Sequence, residues 1–407
     1  MKKICLSVVG IFFTLFASFA QTTPKDTAQY KSRKLNFEEA NFVTSYYKQD
    51  GNNSAVTGGI GTEKLTDIAN VIDVKLNKWD SRNRKHTFDV EVGIDHYTSA
   101  SSDKIDPRTI SSASHADTRL YPSVNWSMEN QQKGSTIGAG VSLSNEFDYV
   151  SYGANVMVAQ KTKNKNGEFT AKAAVFLDKV SLILPIELQP GYPNNIRGED
   201  GERSKGDYGS SARNSYSGTL TYSQIVNQRL QLQFLMDVIY QTGFLGLPFH
   251  RVYFADNSLH VETLPDTRLK IPLGFRANYF IGDKVILRGF YRYYHDDWGL
   301  NAHTINLETV VKIRPFFSIS PFYRFYSQSA VDFFAPYKIH TAADQYFTSN
   351  YDLSKFNSNF YGAGFRIVPP AGVFKIQHLN SLELRYGHYQ KTNGMNSDII
   401  SLGLKFK

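Results

Sequence analysis

Cysteine is nearly missing from this chain. The single thiol, Cys5, falls inside an N-terminal apolar stretch. Disulfides, thiolate metal sites and cysteine catalysis are therefore excluded for everything downstream. Long apolar runs are missing too: beyond residue 20 no stretch approaches the ~18–20 apolar residues a transmembrane helix needs. Helical spacing is not sustained anywhere in 21–407. Despite a formal net charge of +8, the basic residues form no dense cluster, so nucleic acid is not an expected partner.

What is present is aromatic and alternating. The chain holds 25 Tyr and 29 Phe, yet its mean hydropathy is negative. A helical membrane protein could not be this polar, whereas a barrel with lipid outside and water inside can be. The N-terminus carries Met1-Lys2-Lys3, an apolar run from Ile4 to Phe16, and Ser18-Phe19-Ala20 before Gln21. Those parts make residues 1–20 an expected signal peptide. Residues 21–36, polar from Thr22 to Leu35, read as a periplasmic linker, and 37–407 as one outer-membrane barrel. The segment Ile400–Lys407 alternates strictly and sets Phe406 beside the terminus, as a lipid-facing strand does.

Period-2 patterning recurs along the chain. Phe88, Val90, Val92 and Ile94 alternate with Asp89, Glu91, Gly93 and Asp95. Leu269, Ile271, Leu273, Phe275, Ala277 and Tyr279 alternate with Lys270, Pro272, Gly274, Arg276 and Asn278. Each such segment has one apolar and one polar face. Strands are expected near 41–49, 70–79, 86–97, 118–128, 135–144, 150–161, 168–179 and 215–225, then near 229–242, 268–280, 284–294, 303–313, 316–327, 356–367, 380–390 and 398–406. That predicts an all-β, antiparallel, up-and-down transmembrane barrel of about 16 strands, with a range of about 14–18. Links after even strands are short and those after odd strands long, including 180–214 and 328–355. The exceptions are a short outer link near Asn145–Asp148 and a longer inner one across Pro369-Pro370. Short turns belong on the periplasmic side, with both termini. A soluble sandwich or β-helix is the weaker alternative, since nearly every strand carries an apolar face and no short fixed repeat appears.

Several segments carry a family resemblance: YYKQDGNNSAVTGGIGTE (46–63), DHYTSASSDKIDP (95–107), GFLGLPFHRVYF (243–254), LPDTR (264–268), YRYYHDDWGLNAHT (291–304) and YRFYSQSAVDFF (323–334). They resemble an uncharacterised bacterial family of predicted outer-membrane β-barrel proteins. The resemblance implies export, a barrel and a functional mouth. It carries no activity, and points only weakly toward a periplasmic or lipoprotein partner linked to redox machinery.

The same segments supply the candidate site. Lumen and mouth candidates are Asp50, Asn52, Asp89, Glu91, Asp95, Arg251, Asp266, Arg268, Arg276, Arg288, Arg292, Asp296, Asp297, His303, Arg324 and Gln328. In a 16-strand ring the acidic third strand would face the basic eleventh, giving a transverse field that sorts solutes by charge. Local pairing between neighbouring strands is the alternative, and Glu308 interrupts the basic wall. The Asp50–Ser54 run fails as an EF-type calcium loop, having Ala55 and Gly61 where Gly and Glu are needed. His295-Asp296-Asp297 with His303 matches no standard metal spacing, so neither metal nor cofactor is expected.

The expected function is a channel for small polar solutes, narrowed by the loops at 180–214 and 328–355. A non-conducting scaffold for a periplasmic or lipoprotein partner is the alternative, if inward Phe290, Tyr294, Phe322 and Tyr326 plug the interior. An enzyme is not expected; a membrane-embedded hydrolase would need a Ser–His contact, for example Ser327 or Ser329 with His303. Expected partners are outer-membrane lipids and, through the strand ending at Phe406, the barrel-assembly machinery.

Overall fold

The computed structural model describes residues 33–98, 116–188 and 209–407. The expected signal peptide, most of the linker, and parts of the loops 98–117 and 180–214 lie outside the described residues. Sixteen long strands form one closed antiparallel ring. They are β1 (Asn36–Asp50), β2 (Leu65–Trp79), β3 (Lys85–Tyr97), β4 (Asp117–Asn130), β5 (Ser135–Asn145), β6 (Tyr149–Lys161), β7 (Gly167–Ser181), β8 (Ser210–Asn227) and β9 (Leu230–Gly243). After a two-stranded ribbon, β10 (Arg251–Tyr253) and β11 (Leu259–Val261), the ring continues with β12 (Thr267–Ile281), β13 (Val285–Asp296) and β14 (Asn301–Arg314). It ends with β15 (Phe317–Gln328), β16 (Phe356–Ile367), β17 (Leu379–Lys391) and β18 (Asn396–Phe406). Closure is made by β1 against β18, in register from Ala40↔Phe406 to Asp50↔Asn396.

The outer surface is the face that apolar alternation marked. Val141 (61%), Val156 (59%), Leu307 (56%) and Phe234 (51%) are exposed, and Ile400, Leu384 and Leu273 join them around the ring. At ~25 cal/mol per Å² such a belt is costly in water and favourable in hydrocarbon, so the barrel spans a membrane. The short links share one end with Asn36 and Phe406. Their geometry follows from Asx side chains: the Asp80 carboxylate accepts from the Arg82 and Arg84 amides at 2.8 and 2.9 Å. Asn130 accepts from Gln132 and Lys133, and Asn227 from Arg229 and Leu230. These are Asx turns, which substitute a side-chain oxygen for a backbone one. Backbone donors and the Arg84 guanidinium hold the Asp80 carboxyl well below the usual carboxylate range.

The strand count matches the expectation, but several strands run further out of the membrane than alternation indicates. β2 starts at Leu65 rather than near 70, and β8 starts at Ser210, inside the segment expected to be loop. Pairing with both neighbours, Ser181↔Ser210 and Arg213↔Gly243, carries these polar ends outward.

Candidate functional site

Inside the ring the polar parity of each strand lines the lumen. From β3, Asp89, Glu91 and Asp95 point inward, opposite in parity to exposed Val90 and Val92. β1 and β2 add Glu39 and Asp73, bridged by Lys75 at 3.3 and 3.7 Å, with Asp89 at 4.0 Å. Tyr121 donates to Asp95 at 2.8 Å. Its ring lies over Gly93, where a Cβ would meet it at 2.0 Å, so glycine is what lets this tyrosine lie flat on the wall.

Eight strands round the ring, β13 turns Arg288 and Arg292 inward, opposite in parity to exposed Leu287 and Tyr291. β12 adds Arg276, and β15 adds Arg324. Local pairing is also present: Glu308 takes Arg288 at 3.1 Å and Arg385 at 3.4 Å. Arg276 lies over Phe290 and Arg324 over Phe360, with ring distances of 5.5 and 4.8 Å. Phe322 lies against Gly362, and Phe360 against Gly387, where an added Cβ would come within 2.9 and 2.5 Å of those rings. A basin of about 740 Å³ is left between β13 and β18.

A packed cap of outer loops stands over the mouth. Trp298, Leu300, Ala302 and Val331 form its buried core, joined by Leu245, Leu264, Leu353 and the inward-facing Tyr294 and Tyr326. Burial stabilises each large side chain by roughly 1.5–3 kcal/mol. Arg268 packs on Trp298 at 4.1 Å and donates to Asp296 from Nε (2.9 Å) and Nη2 (2.5 Å). Asp296 is 1% exposed and also accepts from the Tyr294 hydroxyl and the Trp298 and Leu300 amides. Arg251 spans from the ribbon to Val56 O and Glu187, both at 2.8 Å. Val56 follows β1, eight places round the ring from β9, so the ribbon bridges the mouth.

Glu262 ties the ribbon to the loop between β15 and β16. It accepts from Thr348 Oγ1 at 2.5 Å and the Leu247 amide at 3.0 Å, with His250 Nδ1 at 3.5 Å. Burial works to raise this carboxyl, but the His250 charge and these donors outweigh it and leave it below the ordinary range. Gln328 fixes the same loop, donating to the carbonyls of Asp352 and Ser354.

Of the sequence candidates, Asp89, Glu91, Asp95, Arg276, Arg288, Arg292 and Arg324 line the lumen. Arg251, Arg268, Asp296 and Gln328 are cap cross-links instead, with their polar groups spent on the protein. Asp50, Asn52 and Asp266 are exposed at the rim, with Asp50 in outward parity. Asp297 accepts from the Leu269 amide at 2.9 Å. His303 is corrected outright: it shares the outward parity of Ile305 and Leu307 and bonds Tyr291 at 2.9 Å on the membrane face. His295 Nδ1 lies 2.9 Å from Asn301 Oδ1. Ser329 is likewise engaged by the Asn301 amide and Gly299 O rather than by His303. A Ser–His contact does occur at Ser258–His260 (2.8 Å), on the ribbon's turn, where Asp256 accepts from the same hydroxyl. Three carboxylates, Asp117, Glu146 and Asp148, cluster within 4.8 Å at the rim. Tyr97 and the Phe147 amide engage Glu146 and Asp117.

Glu39, Asp73, Arg385 and Lys391 are lumenal residues the sequence reading passed over. Arg385 was readable, since it alternates with the outward Leu384 and Tyr386. The buried Glu262–Thr348 contact had no local signal.

Strand closure, apolar belt and charged lumen together define a membrane-spanning β-barrel with a capped mouth. The chain belongs to the family described as "Protein of unknown function (DUF3570)", whose model matches residues 13–399. No curated protein matches it in sequence. Among solved structures it is similar to a BenF-like porin from Pseudomonas fluorescens Pf-5 (8% identity, TM-score 0.44), covering 93% of this chain and 100% of that one. It is also similar to Pseudomonas aeruginosa OccK2 (OpdF) in complex with glucuronate (8% identity, TM-score 0.42), covering 93% and 99% of the two chains. A bacterial polysaccharide outer membrane secretin gives 8% identity, TM-score 0.43, and coverage of 90% and 98%. The architecture stated above rests on this chain's own strand pairing.

Proposed function

We propose that the protein is an outer-membrane channel of a Gram-negative bacterium that admits small polar solutes and sorts them by charge. The observation that carries this reading is the place of Arg288 and Arg292 on β13, eight strands round the ring from Asp89, Glu91 and Asp95 on β3. Opposed charge across a low-dielectric enclosure orients a polar solute and raises the local concentration of ions of one sign. The cap supplies the constriction, and the glycines at 362 and 387 leave room for the Phe322 and Phe360 rings along the wall.

Single-channel conductance in planar bilayers, with reversal potential under a salt gradient, tests this. Discrete conductance steps are expected, and the double change Arg288→Glu with Arg292→Glu should move selectivity toward cations. Silence from a folded, heat-modifiable barrel would refute the channel.

The bridged mouth favours a second reading, a non-conducting scaffold that holds a periplasmic or lipoprotein partner. Silent bilayers together with a co-purifying periplasmic protein would support it. Assembly through the strand ending at Phe406 belongs to either reading. A Phe406→Ala chain should accumulate unassembled, and normal assembly would remove that role.

A further inference from the structure

Four cations face the basin beneath the cap: Arg292, Arg324, Arg385 and Lys391. Two of them are answered. Arg385 meets Glu383 at 3.2 Å and Glu308 at 3.4 Å, and Lys391 meets Asp352 at 2.5 Å. Glu308, the one carboxylate among the described residues lining the basin, is further drawn to Arg288. Arg292 and Arg324 have no hydrogen bond or ion pair among the described residues, and both remain exposed to the lumen. They sit on β13 and β15, separated by β14 and staggered by two residues along it, through Arg292↔Thr304 and Asn306↔Arg324. Two strand spacings and that stagger put their backbones roughly 12 Å apart.

Apolar faces lie beside both. Phe290 precedes Arg292 by two residues on the same inward face, and Phe360 lies 4.8 Å from the Arg324 guanidinium. Tyr326 and Phe356, 5.7 Å apart, stand where the basin meets the cap. Two open guanidiniums call for two anionic groups set apart, since a fork of N–H donors matches a carboxylate. The ring faces that flank them, Phe290 on β13 and Phe360 on β16, call for a flat partner.

We infer that this basin binds a ring-bearing dicarboxylate, with one carboxylate on Arg292, the other on Arg324, and the ring against Phe290 and Phe360. The inference rests on the channel reading for its purpose but not for its test. Calorimetric titration of terephthalate into the detergent-solubilised full-length barrel reads binding without conductance. Saturable binding is expected, with adipate (two carboxylates, no ring) and benzyl alcohol (a ring, no charge) each at least tenfold weaker. Arg292→Gln and Arg324→Gln should each weaken terephthalate at least tenfold. Lys161→Gln, whose partner is Glu129 at the far end, should not. Heat-modifiability confirms that each variant is folded, and Arg292→Lys gives a second, milder probe with partial loss expected. No binding to wild type, equal binding to the double Gln variant, or adipate matching terephthalate would each overturn the site. A conducting barrel that does not bind terephthalate removes the site and leaves the channel; a silent barrel that binds it keeps the site and removes the channel.

Discussion

Replacing Asp296 should release the cap. The carboxylate is 1% exposed and accepts from the Arg268 fork, the Tyr294 hydroxyl and two backbone amides. In Asp296→Ala, the Arg268 guanidinium, held against Trp298 and largely buried, loses its counter-charge. Removing one member of a buried ion pair costs about 3–5 kcal/mol, most of it from the charge left behind. The Trp298 and Leu300 amides lose their acceptor as well, at about 1–3 kcal/mol for each buried group left unsatisfied. The loss falls on the cap rather than on the ring, whose ladder does not pass through this side chain. The expected outcome is therefore local. Amide exchange at Trp298 and Leu300 should accelerate by at least a hundredfold, about 2.8 kcal/mol at ~1.4 per decade, while heat-modifiability of the barrel is retained. Asp296→Asn, which keeps the shape but loses the charge, should fall between. In bilayers the Ala variant should show larger or longer openings than wild type. Exchange rates within threefold of wild type would refute the hub role of this aspartate.

Two further predictions concern the cap latch and the wall. Glu262 has a carboxyl held below the ordinary ~4.5, so its contribution is fully present above that value and is lost as pH falls through the lower folded one. Spin labels at Asn257→Cys and Asp344→Cys should show a broadened distance only below about pH 4.5. Glu262→Gln should broaden it at neutral pH, and a distance unchanged down to pH 3 would refute the latch. For the wall, Gly93→Leu should displace the Tyr121 ring and break its bond to Asp95, costing about 1–3 kcal/mol. Denaturant unfolding in detergent measures it, and a change below about 0.5 kcal/mol would show that the ring can simply step aside.

Alternation made the ring legible because a period of two in a lipid-facing strand leaves little choice of face. Arg276, Arg288, Arg292 and Arg324 could be placed inward on that ground alone. It failed at the outer strand ends, such as Ser210–Asn214, where water bathes both faces and polar residues suit either. His303 was misplaced because a string of aromatic and charged residues outweighed its parity with Ile305 and Leu307. Aromatic residues at the membrane boundary accept such a neighbour, and Tyr291 and Tyr293 both contact its ring. The cap was not legible at all. Its joints pair residues far apart in the chain, Val56 with Arg251 and Glu262 with Thr348, and no local pattern encodes them.

Closure by β1 and β18 bears on how the molecule can be made. Every interior strand finds its neighbours through nearby chain, but the seam joins Ala40 to Phe406. A chain cut before β18 would keep fifteen strands yet present two bare edges, with unpaired amides and carbonyls facing hydrocarbon. Lipid offers those groups nothing, so the truncated sheet has no resting place as a smaller pore. Biogenesis is thus a threshold event: the product is sealed or it is waste, and the strand that comes last decides which.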